Sequence, residues 1–198
     1  MLIFKAKKIL LFLFILLIKT RYIYSADLIS IGDMLFEEKR FDESITEYKR
    51  FIFFNPESNR KDLAYFKMGL AYRSMGNWHH ALDAIGTSIK MTYDSKIADE
   101  RKLLLAKTMI ISKDYNLAKL ELFNLINSTQ SNPIRQKALY FNGVASIYTY
   151  DWDMANKYFD KFYSVSNNEN RSRDLNKLLL ETNKTYKSPL LAQILSAI

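Results

Sequence analysis

With no cysteine among its 198 residues this chain has no thiol chemistry and no thiolate metal site, and its only imidazole ligands are two histidines. His79 and His80 are adjacent; on a helix they point about 100° apart and cannot chelate as histidines at i and i+4 do, so they are expected as surface side chains. The acid pairs Glu37-Glu38 and Asp99-Glu100 are also sequence neighbours, which suits a solvated helix face and not a general acid and base flanking a substrate. No glycine-rich loop is present to cradle a phosphate. Asn127-Ser128-Thr129 and Asn183-Lys184-Thr185 match glycosylation sequons, which carry meaning only in a eukaryotic secretory route. The chain therefore shows no catalytic group, no metal site and no cofactor motif. Its residues point to binding, not to an enzyme.

The elements that present such a binding surface are readable from composition. With 5 glycines and 3 prolines among 198 residues of which 48% are apolar, turn residues are scarce and core residues plentiful, which suits helices joined by short connections. Without cysteine the fold holds by packing alone. The formal charge of +8 is concentrated at one end: Lys5, Lys7, Lys8, Lys19 and Arg21 precede the first acid, Asp27. Removing those five of 29 basic residues leaves 24 against 21 acids. A nearly balanced body argues against a nucleic-acid partner.

Residues 1–26 place three lysines before the ten-residue apolar run Ile9 to Ile18. A bilayer span needs roughly 20 apolar residues and a signal-peptide core about 7–15, so the segment reads as a signal peptide with Ser25-Ala26 at its cleavage region. The alternative is a short uncleaved anchor, with the flanking Lys and Arg side chains reaching the interfaces. Both place the body outside the cytoplasm.

Tyr65 to Ser88 contains two helical patterns separated by Met75-Gly76-Asn77. Tyr65, Met68, Gly69 and Tyr72 share one face of the first, and Ala81 precedes Ile85 by four in the second. Three columns then recur every 37 residues through four copies: Gly32, Gly69, Ala106 and Gly143; Phe41, Trp78, Tyr115 and Trp152; Ser44, Ala81, Ala118 and Ala155. Tyr48, Ile85, Leu122 and Phe159 keep the same spacing and are expected to fill the space between the helices of a pair. Phe51, Leu125 and Phe162 lie one turn on and should pack on the next repeat, with Ser88 breaking their column. Asn142 and Ser146 take apolar positions in the fourth copy. Ala84 stands outside the columns and is expected to accept a larger side chain more readily than Ala81.

Large, apolar, glycine, aromatic, then alanine and a bulky apolar residue resembles the tetratricopeptide signature. The resemblance covers residues 27–165. It implies an all-α fold, a right-handed superhelix of four antiparallel helix pairs whose first helices line a concave groove holding a partner's peptide or helix. The 37-residue period exceeds the family's 34, and the additional residues belong in loops or helix ends between repeats. The family's groove positions fall on Phe36 in the first repeat, Phe66, Leu70 and Arg73 in the second, Lys107 and Ile110 in the third, and Tyr140, Val144 and Tyr148 in the fourth. The two-carboxylate clamp by which some members grip heat-shock chaperones needs lysine and asparagine where this chain has Phe66 and Leu70. A protein or peptide partner of another kind is expected, with membrane association as a further expectation. The favoured role is a non-enzymatic adaptor of the cell envelope, periplasmic if the first segment is cleaved; the alternative is a membrane-associated structural protein.

Residues 166–198 should supply a capping helix, Asp174 to Thr185, followed by an apolar segment from Pro189 to Ile198. That last stretch resembles the start of a hydrophobic module found after tetratricopeptide arrays in some bacterial exported proteins, which would make the chain a truncated piece.

Overall fold

The computed structural model describes residues 28–165; the expected signal segment, capping helix and apolar carboxyl end lie outside them. Helix α1 covers 28–37. It is followed by α2 (Phe41–Phe54), α3 (Lys61–Ser74), α4 (Trp78–Met91), α5 (Ser95–Ile111), α6 (Tyr115–Ser128), α7 (Asn132–Tyr148) and α8 (Trp152–Val165). There is no strand among the described residues.

Local chemistry fixes several of the helix starts. The Asn77 side chain accepts from His80 N–H at the head of α4, and Asp94 Oδ1 accepts from Lys96 N–H and Ile97 N–H at the head of α5. Both satisfy donors that a helix leaves orphaned at its first turn. Pro133 sits in the first turn of α7, where its missing N–H costs nothing.

The turn inside each pair repeats with the sequence period. Lys39, Gly76, Lys113 and Tyr150, each 37 apart, all have positive φ, between 57° and 75°. Each N–H bonds back to the carbonyl three residues earlier, as Gly76 does to Arg73 at 3.1 Å. The next residue, Arg40, Asn77, Asp114 or Asp151, donates five residues back, to Leu35, Tyr72, Met109 or Ser146, at 2.8–2.9 Å. This is the Schellman closure of a helix, which takes up carbonyls the first helix leaves unpaired. Only one of the four positions is glycine, so the sequence shows the motif at Gly76 and conceals it elsewhere.

The three residues beyond the family period are also located. Helices α5 and α7 are 17 residues long against 14 for α3, whereas a six-residue connection, 55–60, precedes α3. The addition is thus an extra helical turn in the third and fourth copies and a longer loop in the second.

By internal contacts the chain forms two compact units divided between Arg101 and Lys102, within α5. The core of the first gathers Leu28, Ile29, Ile45, Tyr48, Phe51, Ala64, Met68, Ala71 and Ala84. Phe51 meets the next repeat here, as its column requires. Ala84 corrects the sequence reading: it is 2% exposed and part of this core, so a larger residue there is as unwelcome as at Ala81. The core of the second unit contains Leu103, Ala106, Ile110, Ala118, Leu122, Leu125, Ile134, Ala138 and Ala145.

The glycine column does its work against the bulky column. A Cβ at Gly69 would lie 2.6 Å from Ile85 Cγ1, and one at Gly143 would lie 2.8 Å from the Phe159 ring. Tyr48 stands equally close to Gly32. Each large side chain of a second helix therefore occupies the notch left by the glycine of the first. Ser44 replaces the alanine of its column, and its hydroxyl donates to the Gly32 carbonyl at 2.8 Å.

Candidate partner-binding site

Helix α3 carries three of the predicted positions, none of them fully buried. Phe66, Leu70 and Arg73 fall at i, i+4 and i+7 on one helix face, and all three are half-buried. The Arg73 Nε is buried and has no hydrogen-bond partner. An unpaired guanidinium N–H is a costly group to leave so, and it suits a carboxylate or carbonyl brought by a ligand.

Phe66 is backed by a buried cation that the sequence reading did not single out. Arg101, 5% exposed, lies with its guanidinium 4.9 Å from the centre of the Phe66 ring. Its Nη1 donates to Asp62 Oδ2 at 2.9 Å and to the Ser88 carbonyl at 3.1 Å. The Ser88 hydroxyl donates to the Ile85 carbonyl at 2.6 Å. Arg101 thus ties its own helix α5 to α3 through Asp62 and to α4 through the main-chain carbonyl of Ser88. No pattern announces this network: Arg101 lies 13 residues from Ser88 and 39 from Asp62 in the chain.

The remaining predicted positions are engaged in packing. Phe36 meets Phe41 edge-on at 5.3 Å and packs on the first core. In the second unit Ile110 belongs to the core, and Tyr140 and Val144 are buried. Tyr140 lies against Phe159 and Phe162 at 5.9 and 5.8 Å between ring centres. The Lys107 ammonium sits 5.0 Å from the centre of the Phe141 ring. Tyr148 stacks on Tyr115 at 4.7 Å, nearly parallel, and burial first, then the neighbouring Tyr148, pushes the Tyr115 phenol up. The residue 74 positions beyond Arg73 is Ile147, not Tyr148. One residue of offset turns a helical side chain by about 100°, which carries Tyr148 off the face that Arg73 shares with Phe66.

Other polar contacts are structural. The Tyr48 hydroxyl donates to Asp33 Oδ1 at 2.8 Å, and the Lys67 ammonium lies 2.8 Å from the same carboxylate. Burial is the main cause that pushes the Tyr48 phenol well above its ordinary value. Lys119 Nζ bonds to Asp151 Oδ2 at 2.8 Å and to Thr149 Oγ1 at 3.2 Å; this bond from Lys119 holds the Asp151 carboxyl below its ordinary value. His80 stacks on Tyr72 and has Nδ1 2.8 Å from Asn77 Oδ1. Among the described residues no three His, Asp or Glu side chains are grouped to hold a metal ion, and no helix is long and apolar enough to cross a membrane.

No protein-family profile and no curated protein matches the chain. Solved structures do resemble it. The crystal structure of MamA protein is 19% identical, with a TM-score of 0.60 over 75% of this chain and 75% of that one. The MamA fragment from position 41 to its end, from Desulfovibrio magneticus RS-1, is 14% identical, with a TM-score of 0.59 over 87% of this chain and 93% of that one. PilF of Pseudomonas aeruginosa is 16% identical, with a TM-score of 0.53 over 87% of this chain and 66% of that one. MamA and PilF are helical solenoids of the tetratricopeptide type, and at these identities what the chain shares with them is the fold.

Proposed function

We propose that this chain is a non-enzymatic scaffold of the cell envelope that binds a peptide or helix of a partner protein through the α3 face formed by Phe66, Leu70 and Arg73. The unpaired Nε of half-buried Arg73 is the observation that carries the reading. A buried guanidinium N–H without a partner is rare and calls for an acceptor, whereas Phe66 and Leu70 supply apolar area on the same face at little entropy cost. The recognised group is then an acidic or carbonyl-bearing segment with an apolar neighbour, not a polyanion, because the body after residue 26 is close to charge balance. Residues 1–26, with their basic start and ten-residue apolar run, support the envelope location. The test is site-specific photo-cross-linking in intact cells with a photoreactive residue at Leu70 and a control at Glu43, an exposed position on α2. The expected result is a discrete cross-linked protein from Leu70 that fractionates with the envelope and is missing from Glu43. Equal products from both positions, or none from Leu70, overturn the proposal.

A further inference from the structure

Large apolar residues fill three successive outward positions of the second helix in one of the four repeats and not in the other three. At three successive outward positions α2 has Glu43, Thr46 and Lys49, α4 has His80, Asp83 and Gly86, and α8 has Met154, Lys157 and Asp160. In the same register α6 has Leu117, Leu120 and Phe123, which remain 55%, 55% and 52% exposed. A single exposed leucine needs no explanation, but three large apolar side chains on adjacent turns of one helix, where each equivalent helix carries at most one, mark an interaction surface.

The sequence of α6 also reads nearly the same in both directions about Leu120. Leu117 mirrors Phe123, Asn116 mirrors Asn124, and Lys119 mirrors Glu121. Two copies of this helix crossing antiparallel about a two-fold axis at Leu120 therefore set leucine against leucine, Leu117 against Phe123 and amide against amide. No like charges oppose one another among these pairs. Lys119 is drawn aside by its 2.8 Å bond to Asp151, leaving the ridge itself uncharged. An isologous interface requires this self-complementarity, in which residue i meets j and j meets i.

We propose that this face of α6 is where a second copy of the chain docks, two helices pairing antiparallel about Leu120. Three apolar side chains per copy fall well short of the roughly 1,200 Å² that a stable interface of standard size buries, so the pairing is reversible and depends on concentration.

The absence of cysteine makes a direct test available. Leu120→Cys in the full-length chain places one thiol per copy on the axis, and a short bismaleimide then reports whether two of them meet. The control is Asp83→Cys, the same column in α4. Holding two thiols side by side gives them a millimolar effective concentration, so with micromolar protein the initial cross-linking rate of Leu120→Cys should exceed that of the control on the order of a hundredfold. Adding Leu117→Asp should return it to the control rate, with helicity unchanged by circular dichroism. Equal rates at the two positions, or a Leu120→Cys rate indifferent to Leu117→Asp, overturn the proposal. It is also overturned if the wild-type chain sediments as a monomer at every concentration while Leu120→Glu abolishes its binding to phospholipid vesicles, which would assign the ridge to a lipid surface.

Discussion

Polar residues interrupt the apolar columns in both units, and the two interruptions are resolved differently. In the first unit Ser88 is buried with its hydroxyl bonded to Ile85, and its carbonyl receives Arg101, which is paired in turn with Asp62. In the second unit Asn142 and Ser146 take the positions that Met68 and Tyr72 hold in the second repeat. Asn142 Nδ2 donates to the Lys119 carbonyl at 3.2 Å, but Asn142 Oδ1 and Ser146 Oγ are buried without partners. A buried polar group with its partners costs little, and one without them costs its full desolvation. The first interruption is therefore a joint that stabilises while it stays whole. The second is a defect that a hydrocarbon side chain would repair.

Breaking the joint should have the largest effect. Arg101→Met keeps most of the side-chain volume but strips Asp62 and the Ser88 carbonyl of their donor, and a half-broken buried pair costs about 3 kcal/mol. Chemical denaturation would show it, and a loss below about 0.5 kcal/mol would demote the network to a surface-like pair. The opposite sign is expected next. Asn142→Leu removes the unpaired oxygen and should stabilise by about 1–2 kcal/mol, read as a higher denaturation midpoint at unchanged slope. A destabilised Asn142→Leu would remove the contrast between the two units.

The turns sharpen the same point at smaller scale. Tyr150 holds φ at 57° with its side chain largely exposed, whereas Gly76 holds φ at 75° without strain. Because a left-handed conformation costs a non-glycine residue about 1 kcal/mol, Tyr150→Gly should raise stability by about that amount and Gly76→Ala should lower it similarly. Thermal melts of the two variants moving in the same direction would contradict the shared turn.

The smallest effect is a pH dependence. The Lys119 bond lowers the Asp151 carboxyl below its ordinary 3.8, so its contribution is present above that value and is lost as the pH falls through the lowered folded value. Lys119→Met should be less stable than wild type near neutrality, with the gap closing in acid. A gap that widens in acid would have the wrong sign.

Sequence alone reached the four helix pairs, the glycine notches and the Phe51 and Leu125 contacts, because these depend on side-chain size at a fixed period. Of the four left-handed turns, only the one at Gly76 has a glycine to mark it. Lys39, Lys113 and Tyr150 give no turn signal, since the closure is made by main-chain hydrogen bonds that any residue can supply at some strain. Of the predicted groove positions, those on α3, Phe66, Leu70 and Arg73, are half-buried and share one helix face. Carrying the same register to the later copies leads to Ile110 and Val144, which lie in packed interiors, because column position specifies the face of a helix and not what covers it. Arg101 left no trace in the columns, as its partners come from two other helices.

The measurement that bears most directly on the account is the affinity of the partner cross-linked at Leu70, titrated at one salt concentration against wild type, Arg73→Glu and Lys107→Glu. A charge-assisted contact contributes roughly 1.5–3 kcal/mol, so Arg73→Glu should weaken binding about tenfold or more while circular dichroism stays unchanged. Lys107→Glu, whose ammonium is laid over Phe141, should weaken it far less. Unchanged affinity for Arg73→Glu with helicity intact would contradict the assignment of the α3 face.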